Sequence, residues 1–226
     1  MPNTRFHVGL GLEVLRKHHI ENASDFLVGC VFPDAHWLSF SSPAKITVRA
    51  KLHHSNSPKD YAITIAGVHE WIAEYAEAVK FSDFYKGYML HMLLDANCNT
   101  LWNAHTKPIM YDIVCFIKDG NHKQMGWESL CKRKWEDAQE ASEHLYPTIG
   151  KLPDISRSVS KDCKSALSFF NLYDDELQLI VNEIHRDTER DIEPTVQIAL
   201  PVQQNYDMIS LTLNEYMHWT EIISRM

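Results

Sequence analysis

The segment Gly87-Tyr-Met-Leu-His91-Met-Leu-Leu-Asp95 sets an imidazole and a carboxylate four residues apart among apolar neighbours. Four residues is close to one helical turn, so the two side chains project from one face of a helix. Buried ionisable groups need partners. A His–Asp hydrogen bond within the core would satisfy this pair, and so would a metal ion. Three further stretches shift the reading toward the ion: His7 inside the first helix, Asp34 directly after Pro33, and His53-His54 in a loop. Imidazole nitrogen and carboxylate oxygen suit Zn²⁺, and the same donors also serve Fe and Mn. An ion held by such donors lowers the pKa of a water bound to it.

Helices must position these residues. Thr4 offers a cap, and Val8, Leu12 and Leu15 recur at helical spacing, which predicts a first helix over roughly 5–19. A second apolar stretch, Asp25 to Phe32, stops at Pro33-Asp34, so Asp34 falls at a helix-to-loop junction. A third helix is expected from Pro58 to about Val79, and a fourth from Phe84 to about Asn103 behind a Ser82-Asp83 cap. Beyond Lys107-Pro108 come a short apolar run over 109–117, a polar turn at Asp119-Gly120-Asn121 and a charged helix from about Trp127 to His144. Two helices near 156–170 and 174–191, then an amphipathic one from about Asn205 to Ser224, close the chain. Alternating patterns are scarce, Lys45 to Arg49 being the nearest to a strand. The expectation is an all-α, multi-helix bundle with the metal site in its core.

With 226 residues and 45% hydrophobic content, one core is enough, so residues 1–226 read as a single domain. A formal charge of −8 supplies no broad attraction to nucleic acid or anionic membrane, and no stable nucleic-acid binding is expected. Five cysteines without a CxxC pair do not form a disulfide framework and fit a reducing compartment. The N-terminus lacks the basic and apolar regions of a signal peptide, and no apolar run approaches the ~20 residues of a membrane span. The expectation is a soluble cytoplasmic protein without a transmembrane segment, its oligomeric state left open. Of the 13 histidines, His18 and His19 fit a helix C-terminus, and His122, His144 and His218 fit the surface. His36 and Trp37, next to Asp34, are candidates for a pocket mouth, and His69 for a surface residue or a partner of the ligands.

Four segments, in chain order, resemble the zinc-dependent phospholipase C family, which includes relatives of the P1-type nucleases. Thr4-Arg-Phe-His7-Val-Gly-Leu-Gly-Leu-Glu-Val-Leu looks like the family's first helix with its metal-binding histidine. Gly29-Cys-Val-Phe-Pro-Asp34 looks like its Gly-x(3)-(Pro/Ala)-Asp segment, and His54, with His53 as the alternative, stands in the place of its loop histidine. The glycine, histidine and aspartate of Gly87, His91 and Asp95 keep the spacing of its most diagnostic helix. The resemblance implies one metal held by Asp34, His54, His91 and Asp95, with Asp95 bridging to a second that His7 also binds. It implies one or two divalent ions, zinc first among them, and a phospholipase C-like hydrolase of small phosphate esters or lipid head groups. Metal-bound hydroxide would attack phosphorus, with Asp34 or Asp95 orienting the nucleophilic water.

The departures bear on the third metal of secreted members. Where the family has a histidine six residues after the bridging aspartate this chain has Leu101, the nearest histidine being His105. The H-x(3)-E pair is missing just downstream; His185-Arg-Asp-Thr-Glu189 has the spacing but lies much later, on a charged helix. HD-type phosphohydrolases, the rival enzyme class, need an adjacent His-Asp dipeptide, and the sequence has none. The alternative from another class is a metal-binding or ligand-binding helical protein that keeps the fold without catalysis.

Overall fold

Residues 87–99 carry too few polar side chains to give their helix a wet face, and a helix apolar nearly all round belongs in the middle of a protein. All thirteen are buried. The computed structural model describes residues 4–34, 52–53, 63–110, 113–118, 121–126, 155, 161–169, 174–189 and 202–226. Their elements run α1 (Thr4–Lys17), α2 (Ala23–Val31), a 3-10 turn (Phe32–Asp34), α3 (Ile65–Phe81) and α4 (Asp83–His105). Three strands follow, β1 (Thr106–Met110), β2 (Ile113–Lys118) and β3 (Asn121–Gly126), then α5 (Lys161–Phe169), α6 (Asp174–Glu189) and α7 (Val202–Arg225). The central helix is α4: α2, α3 and α7 pack against it, while α1 lies against α2 and α6.

The closest approach in the bundle is between α2 and α4, and glycine permits it. A Cβ on Gly29 would lie 2.1 Å from the Phe84 carbonyl oxygen, and one on Gly87 would lie 2.0 Å from that of Phe26. Backbone therefore meets backbone from both sides. Polar ties fix the ends of these helices. The Asn22 side chain accepts from Asp25 N at 3.1 Å, capping α2, while Asn22 N donates to Asp83 Oδ2 at 2.7 Å, at the start of α4. On the other side of α4, Asn97 Nδ2 donates to Thr212 Oγ1 at 3.1 Å and to Glu215 Oε2 at 2.8 Å on α7.

The helical bundle with histidines and aspartates in its core agrees with the expectation. The third helix begins at Ile65, where Thr64 accepts from Gly67 N at 3.1 Å as its cap, and not at Pro58. The apolar run over 109–117 joins an antiparallel meander, β1 pairing with β2 and β2 with β3. The expected helix from 127 to 144, the strand-like Lys45 to Arg49, and His36 and Trp37 lie outside the described residues. Among the described residues, no helix is long and apolar enough to cross a membrane.

Candidate metal centre

Four separate pieces of chain bring five buried ionisable side chains together: His7 on α1, Asp34 on the 3-10 turn, His53, and His91 with Asp95 on α4. Asp34 is 8% exposed and the other four are 0–1% exposed. The helix period puts Asp95 one turn after His91. Pro33 lacks the N–H that would continue α2, and the chain there tightens into the 3-10 turn that ends on Asp34. His7 stacks on His91, ring centroids 3.8 Å apart and planes 10° from parallel.

The nitrogens and oxygens converge on one another. His53 Nε2 lies 3.4 Å from His91 Nε2, 3.3 Å from Asp95 Oδ2 and 3.5 Å from Asp34 Oδ1, and His91 Nε2 is 3.6 Å from Asp95 Oδ2. On the other side of the two carboxylates, His7 Nε2 lies 3.5 Å from Asp95 Oδ1 and 3.9 Å from Asp34 Oδ2. Each carboxylate thus turns one oxygen toward His7 and the other toward His53.

The orientation of His91 is set from outside the cluster. Its Nδ1 lies 2.8 Å from the Cys30 carbonyl oxygen, which can only accept. The Nδ1 position therefore carries the hydrogen, and in the neutral ring Nε2 presents a lone pair to the centre. Cys30 reaches this place because Gly29 and Gly87 let α2 and α4 touch. Tyr88, three residues before His91, donates its hydroxyl to the Leu52 carbonyl, beside His53.

Burial draws the His7 imidazole below its ordinary pKa, and His91 adds to the effect, against the pull of Asp95 and Asp34. Burial also acts against a charge on His53, but Asp34 and Asp95 outweigh it and hold this imidazole up to about 9. Both carboxylates have lost their hydration. The surrounding imidazoles nevertheless hold Asp34 and Asp95 below the ordinary carboxylate range.

The cluster fits a metal on two counts. Both ring nitrogens of His7, Asp34 Oδ1 and both oxygens of Asp95 are buried without a hydrogen-bond partner, a costly state unless something else satisfies them. In addition, donor atoms about 2.0–2.1 Å from a tetrahedral zinc ion stand about 3.3–3.4 Å from each other. His53 Nε2 stands 3.3–3.5 Å from donor atoms of His91, Asp95 and Asp34, and His91 Nε2 stands 3.6 Å from Asp95 Oδ2. The nitrogen and oxygen donor set suits zinc, and Fe and Mn share it.

The structure brings together four of the residues singled out in the sequence, His7, Asp34, His91 and Asp95. His54 lies outside the described residues, and its neighbour His53 supplies the third imidazole of the cluster. His185 is half-buried on α6 and is not part of the cluster, while the side chains of His105 and Glu189 lie outside the described residues. Leu101 is half-buried near the end of α4. His69 packs its ring against Trp219, 5.0 Å between centroids, and His218 is exposed. Sequence reading missed the Cys30 carbonyl and Tyr88. The first carries no side-chain signal, whereas the second shares a helical face with His91 and Asp95.

Neither a curated protein nor a solved structure matches this sequence. The family described as zinc dependent phospholipase C matches it over residues 7–172, which takes in all five residues of the cluster. With well over half of its 226 residues matched, the chain belongs to the zinc-dependent phospholipase C family.

Proposed function

We propose that the chain is a metal-dependent hydrolase of phosphate esters, phospholipase C-like, with His7, Asp34, His53, His91 and Asp95 as its metal ligands. The observation that carries this reading is the convergence of five buried donors, several without any hydrogen-bond partner, at separations suited to a bound ion. Zinc bound there supplies a Lewis acid for phosphoryl oxygen and acidifies water. Asp95 and Asp34 each turn one oxygen toward His7 and the other toward His53, and both would hold a bound ion. Asp34 is the most exposed of the five, at 8%, so we assign the contact with the attacking water to its carboxylate. It orients the water for in-line attack on phosphorus and accepts its hydrogen bond, with Asp95 supporting from the interior. The bond from water oxygen to phosphorus forms, the bond from phosphorus to the alcohol oxygen breaks, and the alcohol leaves with a proton.

Small phosphate esters and lipid head groups are the substrate class, and a net charge of −8 speaks against nucleic acid. The apolar core runs as one cluster from Phe6 to Ile223, which supports a single domain. Cys30 is a buried free thiol, and the five cysteines include no CxxC pair, which supports the cytoplasm as the working compartment.

Leu101, in place of a family histidine, favours a second reading, a metal-binding protein without catalysis. Metal analysis of the purified protein, then a panel of phosphomonoesters, phosphodiesters and phospholipids with and without chelator, separates the two. We expect hydrolysis that chelation abolishes and Zn²⁺ or Mn²⁺ restores, with metal and activity both lost in Asp95→Ala and His91→Ala. Bound metal without hydrolysis anywhere in the panel would establish the second reading. Hydrolysis and metal content that survive Asp95→Ala would refute the assignment of the centre.

A further inference from the structure

Three of the five cluster residues sit on α1 and α4, where the helix backbone fixes their direction. Asp34 ends a 3-10 turn that continues α2. His53 stands in a turn directly after helical Leu52, and it is fully buried with its Nε2 within 3.3–3.5 Å of three cluster atoms. Tyr88 ties this stretch of backbone to α4, because its hydroxyl donates to the Leu52 carbonyl. That carbonyl belongs to the peptide plane whose other corner is the Cα of His53, and a trans peptide is rigid. Fixing the oxygen therefore restrains where the His53 side chain begins. Leu52 itself is fully buried in the apolar core.

The phenol ring is held in turn. It stacks on Trp71 at 4.9 Å and 15°, and it packs against Phe32, two residues before Asp34, at 6.0 Å. Burial pushes the Tyr88 hydroxyl well above its ordinary pKa, so it remains a donor. Tyr88, His91 and Asp95 occupy positions i, i+3 and i+7 of α4, which lie on one helical face. We propose that Tyr88 is a positioning residue of the centre, its hydroxyl holding the Leu52–His53 peptide so that one face of α4 sets three ligands, two directly and the third through Tyr88. This inference rests on the metal-centre reading.

The test is the affinity of the full-length, metal-stripped chain for Zn²⁺, and the visible spectrum of its Co²⁺ form, in Tyr88→Phe. Removing a partner outside the ligand shell typically weakens metal binding about 10–100-fold. We expect a loss of that size, an altered Co²⁺ spectrum, and no effect of Tyr85→Phe, which changes a half-buried phenol on the same helix. In a His53→Ala background Tyr88→Phe should then cost nothing further, since its effect passes through His53. An equal loss in both backgrounds, or none in the first, would overturn the role assigned to Tyr88. If the phenylalanine variant does not fold, p-aminophenylalanine and p-methylphenylalanine at position 88, alike in bulk, make the same comparison with and without a donor. Wild-type protein that binds neither ion would instead sink the centre itself, and this inference with it.

Discussion

Without an ion, the His53 imidazole, held up to about 9 by Asp34 and Asp95, carries a proton at neutral pH. A metal must displace that proton, because only the neutral ring has a lone pair to give. Zinc uptake at pH 7 should therefore release about one proton from His53. Its apparent affinity should climb with pH until about 9, where this contribution ends. Calorimetric titration of the stripped protein in buffers of different ionisation enthalpy measures the release. Heats that do not depend on the buffer would contradict it. His53→Ala should abolish this proton release and weaken binding, whereas His54→Ala should leave both intact. The sequence puts His54 first with His53 as the alternative, because no helix period fixes the direction of either one. His7, His91 and Asp95 were legible because a helix period dictates where they point, and Asp34 because Pro33 marks where α2 must stop.

The α2–α4 crossing carries more of the site than its size suggests, since it brings the Cys30 carbonyl to His91 and leads into Asp34. In an ordinary helical position Gly→Ala is stabilising by up to about 1 kcal/mol. At Gly29 and Gly87 the sign reverses, because the added methyl would stand 2.0–2.1 Å from a carbonyl oxygen of the opposite backbone. Overpacking of this kind costs about 1–3 kcal/mol, and more where backbone has to move. We expect Gly29→Ala and Gly87→Ala to lower the denaturation midpoint and to weaken metal binding as the helices part. Gly67→Ala, where among the described residues the new Cβ meets Thr64 Oγ1 at 3.4 Å and nothing nearer, should be neutral or mildly stabilising. Equal behaviour of the three in urea unfolding would contradict this account. Helices of this bundle were readable because the apolar period of 3.6 persists over several turns. The meander was not, since β1 contains Pro108 and β3, Asn121–Gly126, has no alternation. The Asp119-Gly120 dipeptide is a recognised hairpin signal in a sequence, but a single such signal did not outweigh a chain of helices.

Across the whole molecule the proposed centre acts as a cross-link, joining positions 7, 34, 53, 91 and 95 through one point in the core. Without an ion, that point holds two carboxylates and three imidazoles out of water, with several polar atoms unmatched. Burying such groups opposes folding, and a bound ion reverses the effect. At a free zinc concentration about 1,000 times the dissociation constant, binding adds about 4 kcal/mol to native stability. For a domain of 150–250 residues that corresponds to roughly 8–16 °C in melting temperature. Chelation should produce a drop of that order, restored by Zn²⁺. The loss should also be uneven, because the ion would tie α1, the end of α2, residues 52–53 and α4, while α7 carries none of the five residues. Hydrogen exchange compared between loaded and chelated protein should therefore show the greatest loss of protection in α1 and in α2 with its 3-10 turn. The amides from Met217 to Ser224 should change least. A fall in melting temperature with equal loss of protection along α1 and α7 would mean that the ion stabilises the fold without holding these segments to α4, and the cross-link would have to be abandoned.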